Sequence, residues 1–215
     1  MQNMEKRIII ICLLSILSSA VNAQILGVKG GLSFANGKYK IYETKMPVNS
    51  LIGFTPGIIG ELPVSGSFYL NTGVLYIKKG TWKDISGNEE KIRIRYLEIP
   101  LNIVFKYDFV TWKIFAQAGP YIGVGLSARI KSGDDKVKVE FGTEPNEYNR
   151  ADFGINIGGG FEIDNVQIGV NYGSGLRNIS NSYREVLRNR VFTVSVVYFM
   201  EDIGYTLRNL RDLIF

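Results

Sequence analysis

The side chains of this sequence able to do chemistry are few, and they fall on alternate positions of otherwise apolar segments. Lys29, Glu61, Asn71, Glu98, Asn102, Lys106, Gln117, Asn156, Glu162, Gln167 and Asn171 are the main ones. Brought together, Glu61 and Glu98 would form an acid–base carboxylate dyad. Kept apart and set beside lysines, they are structural ion pairs. An isolated buried charge costs several kcal/mol, so Lys29 and Lys106 are expected to be neutralised by Glu61 and Glu98. Histidine is absent and the one cysteine is Cys12. Those absences remove imidazole acid–base catalysis, Ser-His-Asp hydrolysis and nearly all zinc and copper sites.

Two weaker signals resolve into ordinary structure. Asp134, Asp135, Glu140, Glu144 and Glu147 offer carboxylate oxygens of the kind calcium takes. Their spacing matches no calcium loop, and Lys131, Lys136 and Lys138 dilute the charge, so a solvated hairpin is expected. Gly123-Val-Gly125 and Gly158-Gly-Gly160 open no helix after a strand, which is what a phosphate loop requires. No enzyme, cofactor or metal is expected.

The elements that position these residues are strands. Val166, Ile168, Val170 and Tyr172 share one face, and Gln167, Gly169 and Asn171 the other. Phe153 to Phe161, Leu97 to Lys106 and Val191 to Phe199 alternate in the same way, and a period of two means sheet. Eight such segments are read, at about 25–34, 53–62, 68–79, 91–107, 112–130, 152–163, 166–175 and 190–199. Tight turns are expected at 63–67, 108–111 and Asp164–Asn165, where Asp and Asn tolerate left-handed backbone. Long polar loops are expected at 35–52, 80–90, 131–151 and 176–189. Pro100 removes a ladder hydrogen bond and predicts a bulge or local break.

An even strand count, with short turns at one end and long loops at the other, describes an antiparallel up-and-down transmembrane β-barrel. Its apolar parity faces lipid, and its polar parity fills a lumen just wide enough for side chains. Phe68, Tyr107, Phe109, Trp112, Tyr198 and Phe199 near the turns, and Tyr76, Trp82, Phe153 and Tyr172 near the loops, fit two interfacial girdles. A soluble lipocalin-like ligand-binding barrel is the alternative, with the apolar parity inward.

Domain boundaries follow. The basic pair Lys6–Arg7, the apolar run Ile8 to Leu17 and the small-x-small site Val21-Asn22-Ala23 predict a signal peptide over 1–23. At about ten residues that run is short of the ~20 needed to span a bilayer. The barrel is assigned to 24–200 and a periplasmic tail to 201–215. There Ile203, Leu207, Leu210 and Ile214 recur at helical spacing, which reads as a short amphipathic helix, with a frayed tail as the alternative. The charge, 25 basic against 20 acidic residues, shows no long basic run and so no nucleic-acid signal.

Gly27-Val-Lys-Gly-Gly-Leu-Ser-Phe34, Gly73-Val-Leu-Tyr-Ile-Lys-Lys-Gly80, Tyr96-Leu-Glu-Ile-Pro-Leu101, Ala118-Gly-Pro-Tyr-Ile-Gly123 and Gly169-Val-Asn-Tyr-Gly-Ser-Gly-Leu176 carry a resemblance. The chain resembles the outer-membrane β-barrel domain family of Bacteroidota, which includes PorT-type proteins. That resemblance implies an eight-stranded barrel in the outer membrane with both termini in the periplasm. It implies contact with outer-membrane lipid and no catalytic motif. It leaves two roles open: a structural or partner-binding barrel acting through its long loops or tail, or a PorT-type accessory to protein secretion.

Overall fold

The computed structural model describes residues 25–42, 44–85, 88–145 and 147–200. The signal peptide assigned to 1–23 and the tail assigned to 201–215 lie outside the described residues. Eight strands form the wall. They are β1 (Ile25–Ala35), β5 (Gly57–Ser65), β6 (Phe68–Ile85), β7 (Asn88–Asp108), β8 (Lys113–Ser132), β10 (Ala151–Ile163), β11 (Val166–Gly175) and β13 (Arg190–Met200). A short strand, β4 (Leu51–Phe54), continues β5 upward along β1, on the far side of Thr55–Pro56. Each wall strand pairs antiparallel with the next, β8 pairs with β10, and β13 pairs with β1, so the ladder returns on itself.

Short turns join the strands at one end. Asp164 turns the chain with φ 48° between Ile163 and Val166, and Gly66 does so with φ 54° between Ser65 and Phe68. At the other end the strands are taller than the sequence suggests. Within the loop expected at 80–90, residues 80–85 and 88–90 are strand, because β6 runs to Ile85 and β7 starts at Asn88. The remaining long connections also hold structure. β2 (Lys38–Ile41), β3 (Thr44–Lys45) and β12 (Glu185–Arg188) form a small second sheet, and β9 (Asp135–Val139) folds back on β8. Polar side chains there hide the strands from a hydrophobicity reading, yet backbone pairing continues in water as well as in lipid.

The break expected at Pro100 is an interruption without a shift. Pairing of β6 with β7 lapses between Thr72↔Leu101 and Leu75↔Glu98 and resumes in the same register. The Thr72 hydroxyl donates to the Pro100 carbonyl at 2.8 Å. The register shift lies at Arg95/Tyr96, where β7 meets β8.

That bulge marks a reversal of polarity along β7. From Leu97 to Tyr107 the outward side chains are Leu97, Ile99, Leu101, Ile103, Phe105 and Tyr107, all exposed, while Glu98, Asn102 and Lys106 are buried. Eleven residues match the span a tilted strand needs to cross the hydrocarbon. Beyond Tyr96 the pattern inverts: Ile92 and Ile94 are buried, and Lys91, Arg93 and Arg95 point outward. An apolar parity moves in where the surrounding medium changes from lipid to water. Ile92, Ile94 and Tyr96 join Tyr39, Ile77, Tyr148, Ile179 and Leu187 in an apolar cap over the lumen.

Apolar side chains cover the outer wall elsewhere: Ile122 and Val124, Ile155 and Ile157, Val170, Val194 and Val196. This is the reverse of a lipocalin-like arrangement. The turn-end girdle is present, with Phe109 stacked on Trp112 at 4.3 Å, Tyr107 edge-on to Phe109, and Phe68 against Phe105. Phe199 departs from the girdle. It is 4% exposed and packs inside with Ile59, Leu75 and Val197, because its parity along β13 is opposite to that of Tyr198.

Candidate functional site: a lumen closed by two lysine clusters

The polar parity builds the lumen in tiers. Nearest the turns, β7 delivers Lys106 to two carboxylates, Glu61 of β5 at 2.5 Å and Glu162 of β10 at 2.6 Å. Lys113 reaches Glu162 from the rim at 3.1 Å. The Asn71 amide donates to Glu61 and the Gln167 amide to Glu162. Rings of Tyr69 and Phe199 lie 4.8 and 5.2 Å from Lys106 Nζ, the range of a cation–π contact.

Nearer the loops, Lys79 of β6 holds Glu98 of β7 at 2.5 Å and Asp152 of β10 at 3.0 Å. The Asn189 amide donates to the same Asp152 oxygen at 2.9 Å, and the Tyr121 hydroxyl does so at 3.4 Å. Lys79 Nζ sits 4.0 Å from the Tyr121 ring centre.

Between the clusters lies a cavity of about 30 Å³, room for about two waters. Lys29, Asn102, Gln117, Asn156, Asn171, Thr193 and Ser195 are among its lining residues. Gln117 donates to Asn171, and Asn171 to Asn156. Among the described residues Thr55 Oγ1 and Asn102 Oδ1 have no hydrogen-bond partner, which suits a wet pocket. Room on the inner face comes from glycine: an added Cβ at Gly169 would lie 2.8 Å from the Phe115 ring.

The residues chosen from sequence parity therefore gather in one interior, with pairings that differ from expectation. Lys106 takes Glu61, and Glu162 as well. Glu98 pairs with Lys79 and not with Lys29. Lys29 forms no ion pair with a described carboxylate. Lys79 and Asp152, missed from sequence, share the parity of Asn71 and Asn156, and that parity was the available signal. Glu61 and Glu98 belong to different clusters, so they form no dyad. Among the described residues no group of three His, Cys, Asp or Glu could hold a metal. The acidic hairpin pairs locally, Lys138 with Glu140 at 2.8 Å.

Above the lumen the cap is tied down by polar contacts. The Tyr39 hydroxyl donates to Glu185 at 2.9 Å, and Lys83 donates to Tyr39 while pairing with Glu90 at 2.9 Å. Burial, and then the Glu185 carboxylate, hold the Tyr39 phenol protonated well above its ordinary range. Burial does the same for Tyr148. Asn149 donates to Asn181 and accepts from Arg177, which joins two of the long connections.

A sequence profile described as "Outer membrane protein beta-barrel domain" matches residues 22–183. The chain belongs to this family. Being an outer membrane protein, it presents its exposed apolar wall to lipid. No curated protein matches the sequence. Solved structures similar to this family member include Neisserial surface protein A, at 15% identity and TM-score 0.45, covering 80% of this chain and 96% of that one. Ail of Yersinia pestis, solved with the heparin analogue sucrose octasulfate, has 12% identity and TM-score 0.42, covering 82% and 99%. The N-terminal β-barrel domain of Pseudomonas aeruginosa OprF has 10% identity and TM-score 0.41, covering 81% and 97%.

Proposed function

We propose that the protein is a non-enzymatic outer-membrane scaffold, exported by its signal peptide, that acts through its wall and crown and not through its lumen. The turns and both termini then face the periplasm, and the tall strands face outward. One observation carries this reading: Lys106 and Lys79 close the interior at two levels, with the apolar cap above them. An ion entering would have to break buried pairs, each several kcal/mol to disrupt. Planar bilayers containing the purified protein should show no steady conductance above lipid alone. Sustained ohmic openings would overturn the scaffold reading.

The resemblance to PorT-type proteins names one task for such a scaffold, assistance to protein secretion. The tied crown of β2, β3 and β12 is the surface that a secretion partner would meet. A deletion strain separates the two roles. Loss of secreted proteins with an intact envelope points to the accessory role. Envelope leakage with normal secretion points to a structural one.

A further inference from the structure

Above the bulge at Arg95/Tyr96 the outer face of β6, β7, β8 and β9 becomes a lattice of cations. Lys78 stands opposite Arg95, Arg93 opposite Arg129, and Lys91 opposite Lys131. One strand further, Arg129 faces Lys138 and Lys131 faces Lys136. Like charges directly opposite on one sheet face are destabilising, and here they recur in rows. Of the cations on this face, only Lys91, to Glu89, and Lys138, to Glu140, are ion-paired with a described carboxylate. Lys78, Lys91, Arg93, Arg95, Arg129 and Lys131 line a shallow groove of about 360 Å³, and no carboxylate lines it.

The height of this lattice identifies its partner. Leu97 and Arg95 are neighbours on the outer face of one strand, so the first cation row lies about 7 Å above the last lipid-facing side chain. Tyr76 and Lys78 repeat the step on β6, and on β8 Leu126 is the extra residue at the bulge, with Ser127 opposite Arg95 and Arg129 one row higher, opposite Arg93. Headgroups occupy that depth. The groove also takes in Ile52, 71% exposed, which offers apolar contact beside the charges. A repulsive cation grid at headgroup depth, continuous with a lipid-facing wall, is satisfied by closely spaced phosphates.

We infer that this face binds the phosphorylated headgroup of an anionic glycolipid in the outer leaflet, fixing the barrel's height and surrounding it on one side with ordered lipid. The inference uses the outward orientation of the tall strands proposed above but not the closed lumen, so conductance and lipid binding can fail separately.

The test uses the full protein folded in zwitterionic detergent, with native mass spectrometry counting bound probe. The probes are bisphosphorylated lipid A, the same lipid with its phosphates removed, and heparin. Bisphosphorylated lipid A should remain bound and the dephosphorylated form should bind on the order of twentyfold more weakly, about fivefold for each cation that loses its phosphate partner. The exposed pair R93Q/R129Q should produce a similar loss, and R93K/R129K should restore most of it. Heat-modifiable mobility confirms that each variant is folded. Equal binding of the two lipids, or R93Q/R129Q binding like wild type, would overturn the inference. So would heparin displacing lipid A at equal phosphate and sulfate concentration, since the partner would then be a soluble polyanion.

Discussion

Replacing Lys106 by methionine should remove about 3–5 kcal/mol of stability, the cost of leaving a buried charge without its partner. The effect falls unevenly on the two carboxylates. Glu162 keeps Lys113 at 3.1 Å, whereas Glu61, 1% exposed, retains among the described residues only the amide of Asn71. Glu61 is therefore the group that makes the variant costly. The double change Lys106→Met with Glu61→Gln should recover most of the loss, because the two neutral groups no longer demand a counter-charge. Urea unfolding in detergent, followed by heat-modifiable mobility, reads both values. A K106M protein as stable as wild type would mean that the cluster does not hold the barrel together, and no recovery in the double variant would assign the loss to packing.

An arginine placed along the outward parity of β7 should be tolerated at one end and costly in the middle. At Ile103, 62% exposed and near the centre of the Leu97–Tyr107 band, Ile103→Arg should cost about 2–4 kcal/mol. Near Tyr107 the cost should fall to about 0–1 kcal/mol, the value for interfacial positions. At 93 and 95 arginine is native. The wall thus carries its own depth scale, and a scan through 97, 99, 101, 103, 105 and 107 in lipid vesicles reads it directly. A flat profile would contradict lipid contact along this face.

Much of this arrangement was legible in the alternation of side chains. Leu97 to Phe105 and Phe153 to Phe161 announce both the strand and its two faces, and Asp164–Asn165 announces its turn. Which charges would meet was not legible. Parity says that Lys29, Glu61, Glu98 and Lys106 share an interior, but not their heights or their positions around the ring, which follow from the stagger of the strands. Lys79 was lost for a related reason. The segment read at 68–79 stops on it, and the polar residues after it resemble a loop. Only the pairing of Thr81 with Ile92 and Trp82 with Lys91 shows that the strand goes on. The reversal at Tyr96 compounds the difficulty, since one parity means lipid below it and water above it.

The seam between Ile25–Ala35 and Arg190–Met200 has a consequence for biogenesis. Each of these strands has a neighbour on its other side, Gly57–Ser65 and Val166–Gly175, but their shared edge stays open until they meet, so the most sequence-distant pairing is the one that completes the cylinder. Such long-range closure is slow, and until it happens both strands offer unsatisfied edges to any other chain. Closure of the seam therefore belongs to the last stage of assembly, and mutations that weaken it should reveal themselves first as aggregation of the unclosed chain.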